Sequence, residues 1–266
     1  MKTLIFAGGD RRSLIAAEAV RRQGYAVLTY ALPHRIPLKG ADVHGLILPW
    51  PCLKQGRLNA PLTDRPPTLE ETVRETGISL DLPVIGGPLA EHPFSDYTDL
   101  SRQESLKLRN AVTTAEGAVD LLIRHTDRAV FGMNCLIIGN GAIGKRLADL
   151  LTAFGAKVTV AARKEKDRVE IALRGRRAIN TDSLDLRGFS AVFNTVPALL
   201  VTGEVLSGAS PDTVYFELAS SPGGIDRKAA EARKITVVDG PGLPGKVAPV
   251  TAGEDLAKTV LEILSS

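Results

Sequence analysis

One stretch limits what this chain can fold into more than any other: "CLIIGNGAIGKRLADLLTAFGAKVTVAAR", residues 135–163. An aliphatic run leads directly into Gly139, Gly141 and Gly144, spaced GxGxxG, and these glycines open a helical pattern. The helix has an expected buried face of Ile143, Leu147, Leu150, Leu151 and Phe154; Gly155 follows as a stop, and "KVTVAA" reads as a second strand. A strand, glycine turn, helix and second parallel strand form a βαβ unit of the kind that binds dinucleotides. The first glycine permits a tight turn, the second lets backbone approach a pyrophosphate, and the third lets helix and sheet pack closely, with the phosphates at the helix N-terminus. Gly139, Asn140, Gly141, Ala142, Ile143 and Gly144 are therefore the expected phosphate-binding residues.

An NAD site usually carries an acidic residue about twenty residues past the fingerprint, where it receives the ribose hydroxyl. Here the second strand ends "TVAARKEK", with Arg163 and Lys164 in that place. Two cations suit the 2′-phosphate of NADP, so NADP is the expected cofactor and NAD the lesser one. The alternative is a solvated loop in which Glu165 or Asp167 serves NAD. "AVFNTV", "TVYFELA" and "ITVVDG" complete a set of five expected parallel strands. After the first of these, Asn194, Thr195, Val196 and Pro197 fall at the carboxyl edge of the sheet, where they would border a nicotinamide ribose; an Asn-capped helix start is equally compatible. Ser220 and Ser221, in "FELASSPGGID", supply small polar groups at the next edge and read as walls of a site, since no base accompanies them.

The first 110 residues repeat the alternation more loosely: "TLIFA", a helix with Leu14, Ile15 and Val20 on one side, "YAVLTY", "HGLILPW", a helix over 68–76, and "LPVIGG". The expected fold class is α/β, with two domains, each an open parallel sheet with flanking helices. Residues 1–110 form an N-terminal α/β domain and 111–266 a Rossmann dinucleotide-binding domain, with a final amphipathic helix, about 251–266, free to pack back on the first domain. Residues 53–67 read as a loop. A helical stretch from Leu100 to Arg124 is expected to break near Asn110 and reopen at Thr113 or Thr114 with Glu116 in its first turn, an arrangement that welcomes an anion or merely compensates the helix dipole. Arg12, beside Asp10 and Arg11 at the first strand-to-helix turn, is either a carboxylate-binding group or surface charge.

Composition removes several classes. A net charge of +3 with dispersed cations argues against nucleic acid. No metal site is expected, because Cys52, Cys135, His34, His44, His92 and His125 show no ligand spacing. "MKTLIFAGGD" is too short in apolar residues for a signal peptide and no stretch approaches a membrane span, so a cytoplasmic protein is expected.

Five segments, "NAVTTAEGA", the glycine fingerprint, "NTVPALL", "ELASSPGG" and "GPGLPGKVAPVTAG", occur in an order that closely resembles the A-subunit family of dipicolinate synthase. The match is dense from Asn110 to Gly253 and sparser before it; Ala142 and Ile143 stand where that family commonly has Arg and Thr. The last segment also resembles the Pro-Gly-rich loop of methylenetetrahydrofolate dehydrogenases, and the layout is similar to D-2-hydroxyacid dehydrogenases.

The resemblance implies an NADP-linked oxidation that forms pyridine-2,6-dicarboxylate from a dihydro precursor, a small dicarboxylate substrate, a partner in the flavoprotein-like B-subunit of dipicolinate synthase, and a homo-oligomer. Lys246, the one charge in its loop, would be a carboxylate anchor or proton-transfer group; Glu116 would be a second catalytic candidate, and Thr113, Thr114, Arg12, Ser220 and Ser221 would line the substrate. Two other readings remain: an NADP-dependent dehydrogenase of a hydroxy acid or folate-like substrate, and a non-catalytic nucleotide sensor or scaffold.

Overall fold

The computed structural model describes residues 2–33 and 42–265; His34 lies outside them. It divides into two compact units, Met1–Asn110 with Ala248–Ser266, and Ala111–Val247.

In the first unit, β1 (Thr3–Ala7), α1 (Arg11–Arg22), β2 (Ala26–Tyr30), β3 (Val43–Ile47), a short antiparallel hairpin of β4 (Leu53–Lys54) and β5 (Arg57–Leu58), α2 (Leu69–Thr76), β6 (Val84–Gly86) and β7 (Tyr97–Asp99) follow in order. The main sheet runs β2-β1-β3-β6-β7 with every pair parallel. Successive strand residues face opposite sides, and β1 shows the result: Leu4 and Phe6 join one core and Ile5 and Ala7 the other. Asp10 caps α1 by accepting from the Arg12 amide, and Thr68 and Glu71 form a reciprocal capping box on α2. The stretch expected as a loop, 53–67, contains the hairpin, and β7 is an addition to the expected strands; both are two or three residues long and carry no periodicity to read.

The second unit holds β8 (Asn134–Ile138), α4 (Ala142–Ala153), β9 (Lys157–Ala161), α5 (Glu165–Leu173), β10 (Arg177–Ile179), β11 (Ala191–Asn194), α6 (Gly203–Leu206), β12 (Val214–Glu217), α7 (Arg227–Ala232), β13 (Thr236–Asp239) and α8 (Leu243–Val247). Its sheet has six parallel strands in the order β10-β9-β8-β11-β12-β13, one more than expected; the addition is the three-residue edge strand β10. Cys135, Ile137, Phe193 and Phe216 pack on one face, and Leu136, Ile138, Val192 and Tyr215 on the other. Leu147 and Leu151 of α4 are buried as expected, with Ile143 and Leu150 partly buried, but Phe154 is half exposed because it is the C-cap and has turned away from the buried face.

The boundary between units falls inside one continuous helix, α3 (Glu104–His125), preceded by a 3-10 turn at Leu100–Arg102. The expected break near Asn110 is absent. Ala111, Ala115 and Ala118 are buried along α3, and helix-favouring alanines at that spacing outweigh the capping character of Asn and Thr.

The last helix, α9 (Pro249–Ser265), belongs to the first unit. Leu256, Ala257 and Val260 enter the core shared with Ala16, Ala17 and Val20 of α1. The contact is close because position 253 has no side chain: a Cβ on Gly253 would lie 2.7 Å from Ile15 Cβ and 2.8 Å from the Arg12 carbonyl oxygen. Arg109 of α3 fastens the other side, donating to Thr259 at 2.7 Å with Asp255 at 3.3 Å from its Nε. Burial pushes the Asp255 carboxyl upward in pKa, against the pull of Arg109.

Candidate functional site

The order β9-β8-β11 reverses the direction of chain progression at β8, and ligands of open parallel sheets bind past the strands' carboxyl ends at such a point. The glycine turn lies there, between β8 and α4. Gly139 adopts φ +107°, and a Cβ would sit 2.4 Å from the Thr195 hydroxyl oxygen. At Gly144 a Cβ would fall 2.1 Å from the carbonyl oxygen of Gly139, so glycine is required for helix and turn to touch.

Gly141 differs from both. Its φ of −77° suits any residue, and an added Cβ would meet no atom within 4 Å. Glycine at 141 therefore leaves open space beside the first turn of α4. Gly141 caps that helix without a side-chain hydrogen bond, and the first turn contains no acid, so the amides and positive end of the dipole are uncompensated. Asn140 Nδ2 is buried with no acceptor among the described residues. A diphosphate fits this set of donors and this space.

At the end of β9, Arg163 and Lys164 are exposed, and neither forms a salt bridge among the described residues. The turn that carries them is braced by Arg168, which donates to the Ala162 carbonyl at 3.0 Å. Glu165 and Asp167 are not at the strand end but in the first turn of α5, where they compensate its dipole.

Past β11, Thr195 donates to the Ile138 carbonyl at 2.9 Å and Pro197 is exposed, while Val196 packs against the core. No helix starts there; α6 begins later, capped by Thr202. Asn194 is wholly buried, and its amide is spent on Val196 and on Glu217, so its side chain turns into the protein rather than toward a ligand. Ser220 and Ser221 are exposed after β12. Glu217 is absent from the residues expected from sequence; its one signal there is a carboxylate ending the apolar strand "VYFE".

The substrate candidates fare differently. Thr113 and Thr114 are buried in the middle of α3, and Glu116 is exposed one turn on, so the expected helix N-terminus at these residues does not exist. The Pro-Gly-rich segment is also more helical than expected. Pro244 lies at the second position of α8 and Pro249 at the first of α9, places where a missing N–H costs little. "TAG", expected to open the last helix, lies inside it. Gly240 serves packing, its absent Cβ making room for Leu218 and Leu243, and Gly242 supplies φ +66°. Lys246, on α8, is exposed and forms no salt bridge among the described residues.

In the first unit, Arg12 is largely buried and held by a side-on pair with Asp10, Nε at 2.9 Å and Nη2 at 2.9 Å, and by the Trp50 carbonyl at 3.0 Å. Nε and Nη2 are thereby taken, while Nη1 makes no hydrogen bond among the described residues. Asp10, Arg12, Trp50, Asn59 and Asn110 border a pocket of about 10 Å³, room for roughly one water molecule. Cys52 and Cys135 are free and buried, and burial pushes each thiol up to about 12. Among the described residues no three His, Cys, Asp or Glu side chains cluster as metal ligands, and no helix is long and apolar enough to cross a membrane.

Residues 110–204 match the D-isomer specific 2-hydroxyacid dehydrogenase NAD binding domain, so this part of the chain is a pyridine-nucleotide-binding domain. Over 168 residues the chain is 36% identical to the dipicolinate synthase A-subunit of Bacillus subtilis strain 168; the match spans 62% of this chain and 57% of that protein. Crystal structures of the same subunit from Bacillus halodurans (28% identity, TM-score 0.90, 100% of this chain and 98% of that one) and from Bacillus subtilis (25%, 0.87, 99% and 96%) share the fold. A D-lactate dehydrogenase from Sporolactobacillus, at 17% identity and TM-score 0.66 over 100% of this chain and 97% of that one, shares the fold alone. In sequence and in fold this chain is therefore similar to the A-subunit of dipicolinate synthase, on a two-domain dehydrogenase architecture.

Proposed function

We propose that the protein is an NADP-dependent oxidoreductase that converts dihydrodipicolinate, formed by loss of water from 4-hydroxy-tetrahydrodipicolinate, to pyridine-2,6-dicarboxylate. The observation that carries the reading is the likeness to the dipicolinate synthase A-subunit, 36% identity over 168 residues with a shared fold, around a glycine turn that fits a diphosphate. The reaction removes one hydride and one proton from the dihydro ring; bound nicotinamide supplies the hydride acceptor, and aromatisation favours the transfer.

The chain's own residues hold and orient. The amides at the start of α4, with Asn140, take the pyrophosphate, and Arg163 and Lys164 take the ribose 2′-phosphate. Lys246 is assigned a substrate carboxylate or the departing proton, because its ammonium is exposed and unpaired among the described residues. Arg12 is assigned a carboxylate in the first unit, pre-oriented by Asp10 with Nη1 as its donor. Ser220 and Ser221 are assigned the walls of the substrate site; for Thr113 and Thr114, buried in mid-α3, and for Glu116, exposed beside them, the resemblance alone supports a role. A flavoprotein of the dipicolinate synthase B-subunit type is the proposed partner, and the chain is proposed to self-associate, which light scattering tests.

The decisive assay supplies enzymatically generated 4-hydroxy-tetrahydrodipicolinate with NADP or NAD, with and without the flavoprotein, and follows reduced nicotinamide and dipicolinate together. Equimolar appearance of both is expected, with NADP preferred; no reduced nicotinamide under any combination overturns the proposal. The family match at residues 110–204 supports a second reading, oxidation of a D-2-hydroxy acid, for which a panel of such acids in the same assay is the test.

A further inference from the structure

Glu217 ends β12, which lies between β11 and β13 in the sheet, is 4% exposed, and forms no salt bridge among the described residues. The cation ten residues on, Arg227, is paired with Asp239 instead. A buried carboxylate without a countercharge is costly unless hydrogen bonds replace its water. Three do. Oε1 accepts from Asn194 Nδ2 at 2.7 Å and from the Ala219 amide at 3.1 Å, and Oε2 accepts from the Gly224 amide at 2.7 Å.

Glu217 and Asn194 are register partners on adjacent strands. Asn194 extends the network, donating to the Val196 carbonyl at 2.8 Å and accepting from the Val196 amide at 3.1 Å. The Glu217 carbonyl accepts from the Gly240 amide at 2.9 Å. One residue thus ties together the chain segments leaving β11, β12 and β13. The glycines fit around it: a Cβ on Gly224 would lie 2.4 Å from Asn194 Nδ2, and one on Gly223 would lie 3.1 Å from Glu217 Oε2. Every partner of the two carboxylate oxygens is an N–H donor, so only an acceptor at both oxygens satisfies them all.

We infer that Glu217 is a positioning residue: acting through Asn194, it sets the shape of the segments Thr195–Pro197 and Ala219–Gly224 that receive the nicotinamide half of the cofactor. The inference rests on the nucleotide reading above, which puts the nicotinamide past β11 and β12 and the adenosine phosphates at α4 and β9. Substrate and cofactor touch these two segments, and Glu217 acts on them from below.

The test separates the two halves of the ligand. Glu217→Gln keeps size but turns one acceptor into a donor that must face another donor, either the Gly224 amide or the Asn194 and Ala219 donors. NADP and the fragment 2′,5′-ADP are titrated into the unaltered protein and the variant by calorimetry. In the free variant the two segments relax away from the mismatched donor and must be returned to shape on binding, so the cost of one hydrogen bond to a charged group reappears as about a tenfold or greater rise in the NADP dissociation constant, with 2′,5′-ADP changing by less than about twofold. In the ligand-free variant, amide exchange at Ala219 and Gly224 should accelerate while that of α4 holds.

Equal losses for both ligands, or no loss for either, overturn the inference and leave the nucleotide reading standing. Failure of the unaltered protein to bind either ligand overturns both. Should Glu217→Gln fail to fold, Glu217→Gln with Asn194→Asp carries the test. It returns an acceptor to face the new amide and moves the charge one strand over, so it should bind 2′,5′-ADP normally and NADP more weakly. Normal binding of both by that pair overturns the inference.

Discussion

Replacing Gly141 by alanine separates what the fold needs from what a ligand needs. The backbone at 141 (φ −77°, ψ −172°) is open to alanine, and the new methyl meets nothing within 4 Å. In the folded protein the change costs only the preference of a helix N-cap for glycine over alanine, a few tenths to about 1 kcal/mol, offset by about 0.4–1 kcal/mol from a less flexible unfolded chain. The melting temperature should stay within about 2 °C. A bound pyrophosphate would be pushed off the first amides of α4. Losing two hydrogen bonds to a charged group, about 1.5–3 kcal/mol each, weakens nucleotide binding by roughly 10²- to 10⁴-fold. Gly144→Ala is the contrast: a Cβ 2.1 Å from the Gly139 carbonyl forces α4 off the sheet, so melting temperature and binding should fall together. Thermal unfolding with and without NADP, plus calorimetric titration, reads both quantities. Wild-type NADP affinity in Gly141→Ala would refute the argument that the empty volume at 141 is a phosphate site.

If Arg163 and Lys164 hold the 2′-phosphate as proposed, Arg163→Ala with Lys164→Ala should lower the preference for NADP over NAD by roughly 10- to 100-fold while NAD turnover persists; an unchanged ratio of kcat/KM values contradicts the assignment. Gly253→Ala should destabilise by a net of up to about 2 kcal/mol, since overpacking of α1 against α9 costs about 1–3 kcal/mol and helix propensity returns roughly 1 kcal/mol; a raised melting temperature would show that the crossing has room for a methyl group. The thiols of Cys52 and Cys135 have folded-state pKa values raised to about 12, above the unfolded value near 9. Their contribution to stability is therefore complete below about pH 9 and lost as pH rises toward 12, at about 1.4 kcal/mol per thiol per pH unit. Cys135→Ala should flatten the alkaline fall in stability measured by urea unfolding between about pH 9 and 11, and neither native thiol should react with an alkylating reagent before unfolding.

How legible a feature was depended on whether its cause was local. Gly139, Gly141 and Gly144 could be read directly, because each answers to a requirement a few residues wide: a positive φ, room for a ligand, a close helix. Alternating apolar runs gave the two parallel sheets for the same reason. Strand β10 is not legible in the sequence because three residues at a sheet edge have no period, and the prolines at 244 and 249 point to a loop although both sit in the first turns of helices. Asn110, Thr113 and Thr114 carried a capping signal that tertiary packing overrode, since burying Ala111, Ala115 and Ala118 along one helix contributes more than a cap.

What the sequence determined by itself was the fold class, the glycine turn and the cations at the end of β9, all set by neighbours in the chain. What only the tertiary structure decided was the company of Glu217 and Asn194, 23 residues apart, the hydrogen bond from Arg12 to the Trp50 carbonyl, 38 residues on, and the seating of α9 on α1. Those depend on which strands become neighbours and how closely helices approach, and such contacts are settled by packing between elements rather than along the chain.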